Sequence, residues 1–305
     1  MPEIRTIAVI GAGIMGRGIA HVAALGGYRT ILEDILPTAL RRAENEIRGN
    51  LGKAVELGKV NKDDAEAAIE RLEFATSLED AARQADMVIE AVPEEFDSKE
   101  EIFRLLDRIC RPGTVLASNT SSLSVTEIAA VTERPQDVVG MHFFNPVHKM
   151  KLIEIIRAAK TSDSTLSAAV EVGRRMGKET VVINEAPGFI TSRINAMIGN
   201  EAFHMLEAGI ASAEDIDKAL KLGLNHPMGP FEMVDLVGLD TRLSILRYLH
   251  QTLGEKFRPA PLLEKYVAEG RLGRKVGRGV FEYPDVLRER KEEDQRRTVT
   301  GKSSQ

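Results

Sequence analysis

The stretch "TIAVIGAGIMGRGIA", Thr6 to Ala20, constrains the fold more than any other part of the chain. A short apolar run, Thr6–Ile10, meets glycines at 11, 13 and 16 and passes at once into a helical pattern. Gly11 permits a tight turn, Gly13 lets the backbone approach a pyrophosphate, and Gly16 lets helix and strand pack closely. The free N–H groups of the helix start then face an anion. The next strand-like run, Thr30–Leu32, leads into Glu33 and Asp34. Asp34 lies 18 residues past Gly16, where an acid accepts hydrogen bonds from an adenosine ribose. The expected cofactor-binding run is therefore Gly11, Ala12, Gly13, Ile14, Met15 and Gly16, with Asp34. An acid there repels a 2′-phosphate, and the next arginines come only at Arg41 and Arg42, so NAD is favoured over NADP. Glu33 competes for the ribose. Alternation along a strand turns one of the two acids away, and Asp34 is preferred because it sits at the strand's end. A glycine-rich turn made for packing alone is the bland alternative; the agreement of strand, loop, helix and acid argues against it.

Further strand-like runs follow at Met87–Val92, Val115–Ser118, Val138–Phe144, Leu152–Ile156 and Thr180–Ile183, with helical patterns between most of them. Lys99–Cys110 is one, placing Ile102, Phe103, Leu106 and Ile109 on one face. Such alternation predicts an α/β domain with a mostly parallel sheet. The character changes at Glu185-Ala186-Pro187-Gly188. Beyond it the periods are helical: Phe189–Glu207, Ala213–Lys221, Glu232–Leu253 and Pro261–Glu269. The expected organisation is a Rossmann-type domain over 1–185, an all-helical domain over 186–287 and a polar tail over 288–305. Charges of both signs are interspersed, with a net charge of −5, so no nucleic-acid footprint is present. No apolar stretch is long enough to span a bilayer, and no histidine–acid cluster has metal-ligand spacing. One cysteine, Cys110, excludes an intrachain disulfide and fits a reducing compartment. The N-terminus shows no basic region with a cleavage site. A soluble, cytoplasmic protein without a membrane partner is expected.

Several stretches together resemble the 3-hydroxyacyl-CoA dehydrogenases, and most closely the short bacterial 3-hydroxybutyryl-CoA dehydrogenases. They are IGAGIMGRGIA, VIEAVPE, LASNTSSLSVTEIA, GMHFFNPVHKMKLIEII, PGFITSRI, HPMGPFEMVDLVGLD and GRKVGRGVFEY, spread from residue 10 to 283. The resemblance implies a Rossmann-type domain, a helical domain that makes a homodimer, NAD as cofactor and an acyl-CoA substrate. It implies that His142 and Glu154 are a catalytic pair. Twelve residues is too far for neighbours on one helix and suits two adjacent strands joined by the Asn145–Lys151 loop. The chemistry agrees. Oxidising an alcohol releases the hydroxyl proton, and histidine titrates near working pH. A buried carboxylate on its other nitrogen fixes the tautomer and stabilises the imidazolium. Glu154, set in the apolar run LIEII, also needs a partner, since burying it alone is costly. His148 reads as a rim residue of the loop.

By the same resemblance Ser121 holds the substrate oxygen and touches the cofactor. Ser124 with Glu127 forms a capping box that leaves Ser121 free of that duty. Asn119, Asn145, Glu94 and Lys99 match positions near the nicotinamide, and Lys275 one that reaches the cofactor from the second domain. For Glu94 and Lys99 a solvated helix start is the alternative. Lys53 and Lys59 match lysines at the thioester's entrance, with an exposed amphipathic face as the alternative. The chain departs from the family once. Where an asparagine commonly precedes the arginine after PGF, Ser192 stands here; Asn195 lies about 300° further around a helix and does not replace it. Ser192 is carried as a catalytic candidate, acting directly or through a water. Two competing functions remain: a related β-hydroxyacid or polyol dehydrogenase that does not use CoA, and a binding protein that keeps the fold without the chemistry.

Overall fold

The computed structural model describes residues 3–288; nearly all of the expected polar tail lies outside them. Eight strands form one sheet: β1 (Thr6–Ile10), β2 (Arg29–Glu33), β3 (Leu72–Ala75), β4 (Met87–Glu90), β5 (Val115–Ser118), β6 (Val138–Phe143), β7 (Leu152–Arg157) and β8 (Glu179–Asn184). Their order is β3-β2-β1-β4-β5-β6-β7-β8. The strands from β1 to β6 run parallel; β7 turns back antiparallel to β6, and β8 follows β7. The helices of this part are α1 (Ile14–Leu25), α2 (Pro37–Glu56), α3 (Lys62–Glu70), α4 (Leu78–Ala82), α5 (Phe96–Ile109), α6 (Val125–Ala130) and α7 (Asp163–Arg175).

Strand β1 explains the layering. Ile7 and Val9 pack into a core with α1 residues such as Ile19, while Ala8 and Ile10 pack into a second core with Phe103 and Leu106 of α5. A strand covered on both faces has to be apolar throughout, and every residue of β1 is buried. Strand β3 gave no sequence signal. It is a four-residue edge strand, half-exposed, and its Glu73 carboxylate takes two hydrogen bonds from Arg29 of β2. Edge strands carry such charges to discourage further pairing, and the charge hides the alternation.

The backbone divides into two compact units, the first ending at Phe189 and the second starting at Ile190. The second contains α8 (Thr191–Glu207), α9 (Ala213–Gly223), α10 (Pro230–Val237), α11 (Leu239–Leu253) and α12 (Pro261–Ala268) around Phe203, Phe231, Leu246, Phe257 and Leu263. One helix expected over Glu232–Leu253 is in fact two. Gly238 breaks it at φ +106°, outside the helical region, where only glycine is at ease. A side chain there would also meet Asp240 Oδ1 at 2.8 Å and Lys275 Nζ at 3.0 Å.

Candidate active site

The chain leaves β1 for β2 and β3 on one side and returns to β4 on the other. The carboxyl ends of β1 and β4 therefore flank a crevice, the position where open α/β sheets bind ligands. A cavity of about 760 Å3 opens there, lined by Gly11, Gly13, Glu33, Asp34 and the apolar side chains of Leu78, Val92, Ile102 and Leu105. The three glycines differ in what constrains them. Gly11 has φ +97°, and a Cβ on Gly16 would sit 1.7 Å from the Gly11 carbonyl oxygen. Gly13 is the reverse case: a Cβ there would meet nothing within 4 Å, so the backbone is bare toward open space. Gly13 is also the N-cap of α1, and among the described residues no side chain caps the helix's first N–H groups. That cradle fits the diphosphate of a dinucleotide.

Asp34 is held in place by two backbone donors, Ala12 N–H to Oδ2 and Leu36 N–H to Oδ1, both at 2.9 Å. Ala12 belongs to the glycine turn, so the acid and the phosphate cradle are tied together. Glu33 lines the same cavity; its main-chain carbonyl accepts from Gly11 N–H at 2.8 Å, but its carboxyl makes no hydrogen bond with any described residue. Its burial, and secondarily the charge of Asp34, push its carboxyl up to about 7.

His142 and Glu154 are direct cross-strand partners in the β6–β7 pair. Nδ1 of His142 lies 2.8 Å from Oε2 of Glu154, with the histidine 6% exposed and the acid 1%. With Glu154 ionised, Nδ1 carries the proton, and Nε2 keeps a lone pair for the cleft that His142 lines. Antiparallel pairing is what makes a spacing of twelve residues into a contact. That cleft, about 380 Å3, gathers Met15, Glu94, Asn119, Ser121, His142 and Asn145. Met15, Ala91 and Val92 line both it and the larger cavity, so the two adjoin.

Glu94 is the centre of this second cleft. Its Oε1 accepts from Thr120 Oγ1 at 2.7 Å, Ser121 N–H at 2.7 Å, Ser121 Oγ at 3.1 Å and Ser122 N–H at 3.1 Å. Burial works to raise its pKa, but the charge of Lys99 and these hydrogen bonds outweigh it and hold the carboxyl below its usual range. Lys99 lies 3.2 Å from Glu94 Oε2 and 2.6 Å from Glu90 Oε1. It is 1% exposed, so it is not the solvated helix residue of the alternative reading, and both acids share its ammonium. Asn119 accepts from Phe143 N–H at 3.0 Å, tying the exit of β5 to the end of β6 beside His142. The helix after this loop is capped by Ser124, which accepts from Glu127 N–H, leaving Ser121 to the cleft.

Glu90, absent from the expected site, is fully buried between Lys99, Ser118 Oγ at 2.6 Å and Val92 N–H at 2.8 Å. An acid ending the apolar run MVIE was the available signal, of the same kind that drew attention to Glu154. His148 is half-exposed and stacks on His21 of α1. Both border a third cavity, about 240 Å3, shared with Arg17, Asn50 and Asn145. Lys53 and Lys59 are exposed and make no ion pair with any described residue. In the helical unit, Ser192 is the second residue of α8 and half-buried, while Lys275 Nζ lies 2.6 Å from both oxygens of Asp240.

Residues 6–186 match the model of the 3-hydroxyacyl-CoA dehydrogenase NAD-binding domain, and residues 188–283 that of the same family's C-terminal domain. The chain belongs to the 3-hydroxyacyl-CoA dehydrogenase family. A probable 3-hydroxybutyryl-CoA dehydrogenase of Bacillus subtilis is 47% identical over 284 residues, covering 93% of this chain and 99% of its own. The 3-hydroxybutyryl-CoA dehydrogenase of Bradyrhizobium diazoefficiens is 44% identical, over 92% of this chain and 96% of its own. Among solved structures, (S)-3-hydroxybutyryl-CoA dehydrogenase of Ralstonia eutropha superposes with a TM-score of 0.89 at 41% identity, over 92% of this chain and 99% of that one. The cofactor of the family's first domain is NAD.

Proposed function

We propose that the protein interconverts (3S)-3-hydroxybutyryl-CoA and acetoacetyl-CoA with NAD. The observation that carries this is the His142–Glu154 pair, buried and in hydrogen-bond contact at the edge of a cleft that adjoins the dinucleotide cavity. Nε2 of His142 takes the hydroxyl proton in oxidation and returns it in reduction. Glu154 holds the ring and stabilises the imidazolium through Nδ1, a task suited to an acid this thoroughly buried. NAD, when bound, accepts the hydride leaving the same carbon.

The Ser121 hydroxyl donates to Glu94 Oε1 here and, turned away from it, donates to the substrate oxygen, and Ser192 is a second candidate for that duty. Asn119 and Asn145 border the nicotinamide half, and Asp34 takes the ribose. Lys99 acts through Glu94 as a positioning residue rather than by touching the cofactor, since its ammonium is shared by two acids. Lys275 serves the cofactor by resemblance alone. For coenzyme A, Asn50 lines the cavity beside Asn145, and Lys53 follows about one turn later on the same helix with an exposed ammonium, unpaired among the described residues and suited to phosphate. Lys59 is the companion candidate.

A homodimer formed by the helical unit is part of the proposal. In its support, Ile194, Met197, Leu222 and Leu224 are large apolar side chains left exposed there. The cytoplasm is the proposed location, in keeping with the single cysteine.

Rates with (S)-3-hydroxybutyryl-CoA, its R isomer and free 3-hydroxybutyrate, each with NAD and NADP, test the function. Turnover of the S thioester with NAD is expected to dominate. Equal turnover of the free acid would replace this reading with a dehydrogenase that does not use CoA.

A further inference from the structure

We propose that Glu33 enters the dinucleotide complex as a neutral carboxylic acid, and that binding of NADH therefore takes up a proton. The inference rests on the reading that NAD occupies the cavity beside the glycine turn. Two acids stand side by side on that cavity's wall, and the structure treats them differently. The Asp34 carboxylate receives two backbone N–H groups. Glu33 is 7% exposed and its carboxyl receives none from any described residue, yet it faces the same space as the apolar side chains of Leu78, Ile102 and Leu105. It lies on the face of β2 that also carries Ile31, which belongs to the core beneath α4 and α5.

The charged groups of the surrounding elements do not relieve it. On β3, Glu73 is tied to Arg29. On α4, Glu79 is paired with Arg83, and Asp80 is exposed. On α5, Glu100 is paired with Arg104, and Glu101 is exposed. Among the described residues the cavity is lined by no lysine, arginine or histidine, and its one other charged lining residue is Asp34. Burial and a like charge both favour the protonated form, in line with a carboxyl raised to about 7. A bound dinucleotide removes the remaining water and brings the diphosphate's negative charge, and both push further the same way. The result is a division of labour between neighbouring acids, one hydrogen-bonded by the main chain and one buried without such donors. Asp34 accepts from the ribose, and Glu33, neutral, closes the cavity without adding a charge. When Glu33 ionises, the wall carries two negative charges and dinucleotide affinity falls.

The test is NADH binding, read by its fluorescence from pH 6 to 8.5, for the wild type and Glu33→Gln. Calorimetry of the wild type at pH 8 in two buffers of different ionisation enthalpy is the companion measurement. The wild-type Kd is expected to rise roughly 10–30-fold across the range, as for a group titrating near 7 that must be neutral to bind. The Gln variant is expected to stay nearly flat, and the wild type to take up close to one proton per NADH. A flat wild-type profile, the same slope in both proteins, or binding without proton uptake overturns the proposal while leaving NAD as cofactor. Absence of NADH binding at every pH overturns the cofactor reading and the proposal with it. Should Glu33→Gln fail to fold, proton uptake by the wild type alone decides.

Discussion

Changing Lys99→Met removes the ammonium that Glu90 and Glu94 share while keeping the aliphatic stem. Glu90 is fully buried, and Lys99 Nζ lies 2.6 Å from it. What remains to that carboxylate is Ser118 Oγ and Val92 N–H, two donors but no countercharge. Breaking a buried pair from one side typically costs about 3–5 kcal/mol. In a unit of this size each kcal/mol is worth about 2–4 °C, so Tm is expected to fall by roughly 6–20 °C. The second change, Glu90→Gln, removes the stranded charge, and the double variant is expected to recover most of the loss. Activity carries separate information. Glu94 keeps its hydrogen bonds to Thr120 and Ser121 but loses its cation, so kcat is expected to stay low in the double variant after stability returns. Thermal melting and steady-state kinetics on the two singles and the double decide it. A Lys99→Met protein as stable as the wild type, or a double variant less stable than Lys99→Met, would refute the reasoning.

Asp34→Ala is expected to weaken NADH by about 1.5–3 kcal/mol through loss of a charge-assisted hydrogen bond and to narrow the gap to NADPH; binding titrations with both cofactors check this. Glu33 also sets a pH dependence of stability without ligand. Its folded pKa, about 7, lies above the unfolded value near 4.5, so the folded state holds the proton more tightly and stability falls as pH rises between those values. Above pH 7 the penalty is complete, at most about 3 kcal/mol, so Glu33→Gln should melt several degrees higher than the wild type at pH 8 and gain much less at pH 5. Ser192→Ala is expected to lower kcat by about tenfold or less, and Ser192→Asn to hold or raise it, since a hydroxyl acting through a water can be replaced by either the water or a longer donor. Kinetic constants unchanged in both would remove Ser192 from the site.

The parts of this site that were legible in the sequence are those where one residue's chemistry is out of keeping with its neighbours. The glycine turn declares itself because three glycines after a strand leave few other uses. Glu154 stands out in LIEII because a carboxylate in an apolar strand requires a partner, and the antiparallel β6–β7 return supplies His142. Glu90 carries the same signature but its partners, Lys99 and Ser118, come from two other elements, and no local spacing connects them. The break at Gly238 was hidden because apolar periodicity continues across it from Val234 to Leu243. Only the positive φ, which sequence does not display, separates the two helices. The division of roles between Glu33 and Asp34 was likewise closed to alternation alone. It depends on which acid receives the N–H of Ala12, and that is set by how the glycine turn folds back toward β2.

The central claim is that His142 and Glu154 act as one catalytic unit. A double-mutant cycle in acetoacetyl-CoA reduction by NADH, with NADH affinity measured alongside, tests it most directly. His142→Gln is expected to lower kcat by roughly 10²–10⁴-fold, the usual worth of a general base, with NADH affinity intact. Glu154→Gln is expected to be severe as well, because an amide beside Nδ1 no longer fixes the productive tautomer. The double variant should be no slower than the worse single, since the acid works only through the histidine. Losses that multiply in the double variant, or a His142→Gln enzyme that keeps its turnover, would contradict the account.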